Sequence, residues 1–144
     1  MRKIAIIENS PGLGSYFKRF LDARGAEIRT YRCWPGQALL LRKFHVYIIT
    51  GDFYNITEGL KDRHKRIVEM LERLKEEKVF GSCFGHQLIA WWRCGRIERR
   101  KERLLGYERI EIKDEHPALC GGSSFYALNT NQDEATSRAK GFSL

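Results

Sequence analysis

Short apolar runs alternate along this chain with longer segments whose apolar residues recur at helical spacing. The first run, at residues 3–8, carries Ile4, Ala5, Ile6 and Ile7 in succession and predicts a strand buried on both faces. Residues 9–15 are rich in turn formers, with Ser15 placed to cap a helix. Over residues 16–24, Phe17, Phe20 and Leu21 share one helical face, and Gly25 is placed to stop the helix. A second strand is expected at 27–31, a turn at 34–36, a short helix at 37–43 and a third buried strand at 46–50. The loop that follows opens with Gly51 and Asp52, at a strand's C-terminal end, where open α/β sheets hold their ligands. A long helix is expected over 58–77, its mixed charges forming a solvated face. After residue 95 the pattern shifts toward strands, at 107–113 with half-exposed alternation and again at 124–129. Strands alternating with helices predict a single α/β domain over 1–144, with a mostly parallel sheet covered on both faces and an antiparallel addition in the last third.

The chemically informative stretch lies between the third helix and this strand-rich end. Val79 and Phe80 read as the end of a buried strand, and residues 87–92 as an apolar helix. Between them stands Gly81-Ser82-Cys83-Phe84-Gly85. A reactive side chain flanked by glycines at a strand-to-helix turn is the pattern of a nucleophile elbow. Such a turn strains the nucleophile's backbone, and neighbours without a Cβ let strand and helix approach. The helix N-terminus favours a thiolate at Cys83. The N–H of Phe84, just after the sulfur, is placed to meet a developing oxyanion. The plainer alternative is a structural cysteine buried in an ordinary strand–helix turn.

Composition narrows the setting. The chain has no apolar run long enough to span a membrane. Its four cysteines contain no C-x-x-C pair, which points to a reduced, cytoplasmic protein without a zinc site. Loop 9–15 has glycines but not the dinucleotide fingerprint, and no cofactor is expected. The net charge of +8 permits an acidic partner. The basic stretch 96–103 lacks the stacking aromatics of nucleic-acid modules, so nucleic acid is not the expected partner.

The run Gly81-Ser82-Cys83-Phe84-Gly85-His86-Gln87, followed by an apolar helix, resembles the signature of class I (triad-type) glutamine amidotransferases, with GMP synthase-like stand-alone members the most similar. The resemblance implies a flavodoxin-like, three-layer α/β/α sandwich. It also implies hydrolysis of the glutamine side-chain amide through a Cys83 thioester, with ammonia passed to a synthase or ligase partner subunit. On that basis Gly51 and Phe84 supply the oxyanion hole, Gln87 helps hold the substrate, and Gly81, Gly85 and His86 are structural at the elbow. The family's Ser-His-x-Asp segment corresponds to Thr130-Asn131-Gln132-Asp133, so Thr130 and Asn131 are expected beside the glutamine pocket.

Departures accompany the resemblance. Asp52 stands where the family has glycine or serine, and Leu104 where it has glutamate. The family's His-Pro-Glu, which supplies base and orienter, has no counterpart, because His116-Pro117-Ala118 falls too early and lacks the glutamate. The resemblance therefore implies a domain shortened before its last strands, with impaired glutaminase turnover and an uncovered edge that favours a homo-oligomer or a partner chain. The alternative is a catalytically inactive pseudo-amidotransferase that acts as a binding or regulatory module.

Overall fold

A computed structural model describes residues 1–22, 24–33, 43–74, 77–111 and 124–137. The turn expected at 34–36, most of the helix expected at 37–43, the His116-Pro117 loop and the last seven residues lie outside these.

Among the described residues, four parallel strands form the central sheet. They are β1 (Lys3–Glu8), β2 (Glu27–Arg32), β3 (Val46–Ile49) and β4 (Val79–Gly81), in the spatial order β2-β1-β3-β4. The apolar run of β1 has a direct structural cause. Ile4 and Ile6 join Ile48 on one face, where Phe17 and Leu21 of helix α1 (Leu13–Asp22) cover them. Ala5 and Ile7 join Tyr47 and Ile49 on the other face, with Ile67 and Leu71 of helix α2 (Asp62–Arg73) and Leu88 of helix α3 (Phe84–Trp92). The result is a flavodoxin-like three-layer α/β/α sandwich. Among the described residues no helix is long and apolar enough to cross a membrane.

Three local expectations change. Helix α1 starts at Leu13, so Ser15 is an interior residue whose hydroxyl donates to the Gly12 carbonyl at 2.5 Å. The terminus is served instead by the buried Glu8 carboxylate, which accepts the N–H groups of Gly12 and Gly14 at 3.0 and 2.9 Å. A side chain at the end of β1 thus does the work of a cap. The segment expected as one helix over 58–77 is divided into a 3-10 turn at Ile56–Glu58 and helix α2. Gly59, at φ +92°, breaks it, and His64 Nδ1 accepts the Lys61 N–H at 3.2 Å to begin the next helix. Phe80 is 55% exposed rather than buried, because β4 lies at the edge of the described sheet.

The last third adds two antiparallel pairs. Strand β5 (Ile97–Arg99) pairs with β8 (Asp133–Ala135), and β6 (Gly106–Glu111) pairs with β7 (Ser124–Asn129). Strand β6 alternates as its sequence predicts, β7 does not, and the ribbon leaves Tyr107, Phe125, Tyr126 and Leu128 exposed. Strand order reverses between β1 and β3, so a crevice opens beyond the C-terminal ends of these strands. The elbow stands at that crevice.

Candidate active site

Cys83 occupies the corner between β4 and α3 with φ 55° and ψ −118°, a backbone conformation L-residues adopt only when their surroundings impose it. The two glycines around it leave no alternative. A Cβ on Gly81 would lie 2.5 Å from the Gly85 carbonyl carbon, and one on Gly85 would lie 2.3 Å from the Ile49 carbonyl oxygen. Strand and helix therefore meet backbone to backbone, and Ser82 N–H donates to Ile49 O at 2.9 Å to lock the crossing. The turn is further anchored by Phe84. Its ring is 1% exposed and packs against the rings of His64 and Tyr54 at 4.6 and 6.4 Å.

The sulfur faces a cavity of about 380 Å³, within the range of small-molecule sites. Gly51, Phe84, Gln87, Thr130 and Asn131 all line it with Cys83, although they come from separate segments of the chain. Gly81, Gly85 and the half-buried His86 sit at or beneath the elbow. Gly51 abuts Cys83, since a Cβ there would fall 3.2 Å from Cys83 Cβ and 3.6 Å from its Sγ. Any larger residue would crowd the sulfur.

The thiol is not poised as a thiolate. Desolvation raises its pKa above the ordinary cysteine value, the Phe84 N–H lowers it, and the nearby Asp52 charge raises it again. The expected benefit of the helix terminus is thus outweighed. The S–H donates to Asn131 Oδ1 at 3.1 Å. Cys33 contrasts with it. That thiol is pushed up to about 11 by burial, with Arg66 opposing, and sits in the core at 2% exposure.

The Asp52 carboxylate, which also lines the cavity, is held by a dense set of donors. Ser10 Oγ reaches Oδ1 at 2.5 Å, while Arg63 Nη2 and His64 Nε2 reach Oδ2 at 2.6 and 2.9 Å. Because His64 Nδ1 accepts from Lys61, its Nε2 carries the proton that Asp52 receives. Burial alone would raise the Asp52 carboxyl, but hydrogen bonds from His64, Ser10 and Arg63 hold it well below the usual carboxylate range. On the other side of Gly51, Asn9 N–H donates to Thr50 Oγ1 at 3.1 Å and Asn9 Nδ2 to Thr50 O at 2.7 Å. The loop beside the sulfur is therefore pinned at both ends.

The facing wall comes from residues 130–133. Asp133 is 3% exposed, and its carboxylate accepts the Thr57 N–H at 2.8 Å and hydroxyl at 2.9 Å. Its carbonyl accepts Gln87 Nε2 at 2.7 Å, so Gln87 ties the helix to this wall while lining the cavity. Arg103 Nε donates to Thr130 O at 3.0 Å, and Leu104 N–H to Asn131 O at 3.2 Å. Sequence reading missed Ser10, Arg63, His64 and Arg103 at this site. None carries a local signature, and each is brought in by contacts between distant segments. Among the described residues no group of His, Cys, Asp or Glu could hold a metal ion.

No protein-family model matches the chain. It is 32% identical over 105 residues to a glutamine-hydrolyzing GMP synthase subunit of Saccharolobus solfataricus, covering 71% of this chain and 54% of the relative. The corresponding protein of Sulfurisphaera tokodaii is 28% identical over 106 residues, covering 73% of this chain and 55% of the relative. The chain thus spans about half the length of the curated relatives it matches. Among solved structures, a Thermoplasma acidophilum chain assigned to the GMP synthase subunits superposes with a TM-score of 0.81 at 19% identity, covering 94% of this chain and 67% of that one. A glutamine amidotransferase from Thermotoga maritima gives 0.78 at 14% identity, covering 92% and 61%. These two structures establish the shared fold.

Proposed function

Because the chain belongs to the class I glutamine amidotransferases, as a relative of the glutamine-hydrolyzing GMP synthase subunits, we propose that its cavity binds glutamine and that Cys83 attacks the side-chain amide. The observation that carries this reading is the strained Cys83 at the cavity, with Gly51 and the Phe84 N–H beside its sulfur. In the reaction, Sγ bonds to the amide carbon while the carbonyl oxygen takes up negative charge. The Phe84 N–H and the Gly51 backbone stabilise that oxyanion. The C–N bond then breaks, and ammonia leaves with the proton given up by the thiol. Water cleaves the thioester to glutamate and restores the thiol. In the fuller reading the ammonia is passed to a synthase subunit docked on this domain.

On this reading, turnover by the described residues alone is slow. Among the described residues the sulfur's hydrogen-bond partner is the Asn131 amide, which is no base. His64 is committed to Asp52 and Lys61, and His45 accepts the Lys3 N–H at 3.0 Å on another part of the sheet. Lack of a general base costs roughly 10²–10⁴ in rate. The raised thiol pKa and the Asn131 contact favour a second reading, in which the domain binds glutamine or a partner protein without consuming substrate.

Incubation with 6-diazo-5-oxo-L-norleucine, a glutamine-shaped electrophile, tests the first reading. It should add one adduct per chain at Cys83 and none in Cys83→Ser. If Cys83 reacts with iodoacetamide but not with the analogue, the glutamine-site reading fails and a binding module remains.

A further inference from the structure

The charges around the cavity are not evenly answered. The lining includes two carboxylates, Asp52 and Asp133, and one guanidinium, Arg103. Asp52 is engaged by Arg63, His64 and Ser10, and Asp133 by the Thr57 N–H and hydroxyl. Both therefore face protein donors. Arg103 donates its Nε to a neutral carbonyl, Thr130 O, and among the described residues it pairs with no carboxylate. Its neighbours Arg99 and Arg100 differ in this respect, for they pair with Glu58 and Glu134.

Arg103 is also held in place. Arg100 N–H donates to Gln132 O at 2.9 Å and Leu104 N–H to Asn131 O at 3.2 Å, so the segment bearing Arg103 runs along the wall that bears Asn131. Asn131 in turn reaches the Cys83 sulfur at 3.1 Å. The chain thus places one unanswered cation and one nucleophile on the same small cavity, with backbone anchors on either side of the cation. A planar guanidinium whose Nε is already occupied still offers its terminal N–H groups to a carboxylate.

We propose that Arg103 is a specificity-determining residue, the receptor for a carboxylate on the molecule whose amide meets Cys83. This rests on the glutamine-amide reading given above and refines it. The site would select amides that carry a free carboxylate a few atoms from the reacting carbon, and discriminate against the same amides with that carboxylate blocked.

The test compares Cys83 alkylation by 6-diazo-5-oxo-L-norleucine and by its methyl ester, with iodoacetamide as a neutral control. The unaltered protein should prefer the acid by about tenfold or more, the scale of one charge-assisted hydrogen bond. In Arg103→Gln, which can still donate to Thr130 O, the preference should collapse toward one while the iodoacetamide rate holds. Arg103→Lys keeps the charge and should retain part of the preference, and it serves alone if the glutamine variant does not fold. An acid preference that survives intact in Arg103→Gln, or one lost equally in Arg103→Lys, overturns the proposal. If neither analogue labels Cys83 while iodoacetamide does, the glutamine reading fails first and this inference with it.

Discussion

The two walls of the cavity are built in different ways. The elbow wall, from β4 to α3, is a backbone construction in which Gly81 and Gly85 let main chains touch where no side chain fits. The opposite wall, residues 130–133, combines backbone bonds from Arg100 and Leu104 with side-chain bonds to distant partners, Asp133 to Thr57, Gln87 to Asp133 and Arg103 to Thr130. The first kind of wall leaves no room for an added side chain. The second depends in addition on side-chain partners far away in the chain. On the proposed reading, the chemistry belongs to the backbone wall and selectivity to the wall opposite.

Substitutions that separate the two walls should differ most in stability. Gly85→Ala puts a Cβ 2.3 Å from a backbone oxygen and should cost about 3 kcal/mol or more, enough to unfold a marginal domain. Gly25→Ala meets open space but at φ +69°, so only the left-handed backbone penalty applies, about 1–2 kcal/mol. Urea denaturation of both variants checks the ordering, and equal losses would mean the elbow is not tightly built.

Asp133→Ala should cost about 1–3 kcal/mol, because it strands the Thr57 donors and removes a side-chain tie of the opposite wall. It should slow the glutamine analogue more than it slows iodoacetamide. If both reagents slow alike, the two walls are not independent.

Acid titration distinguishes the pinned loop between them. The Asp52 carboxyl is held below its ordinary value, so the folded state binds fewer protons than the unfolded chain. The stability it contributes is complete above the unfolded value of about 3.9 and falls as pH drops from there toward the folded value. Asp52→Asn should flatten that acid limb. The same change removes a charge that raises the Cys83 thiol, so the midpoint of iodoacetamide alkylation should move to lower pH. A midpoint that stays put or rises would show that Asp52 does not act on the sulfur.

Asn131→Ala should be the mildest change, within about 1 kcal/mol in stability, since it removes one weak S–H bond. Intact mass after timed alkylation should show Cys83 labelled by iodoacetamide at least as fast as in the unaltered chain.

The elbow was legible in the sequence because its constraint is local. Gly81, Cys83 and Gly85 lie within five consecutive positions, and the apolar runs on either side announce strand and helix. The both-faces-buried pattern of β1 likewise gave the layered sheet. The Asp52 cluster could not be read in the same way. Ser10 and Asp52 are 42 positions apart, Arg63 does not differ in type from the solvated charges around it on α2, and nothing in the local sequence ties His64 to Asp52. The start of α1 was misplaced because its cap is Glu8, a strand residue lying before the turn rather than at the helix boundary. Gly59 was in plain view inside the segment expected as one helix, and its positive φ is what divided it.

Protection of the thiol tests the central claim most directly, because it requires binding at the sulfur but no turnover. Iodoacetamide modification of Cys83, followed by peptide mass against Cys33 and Cys94, should be slowed saturably by L-glutamine and not by D-glutamine. Unchanged Cys83 kinetics at every L-glutamine concentration would contradict the account.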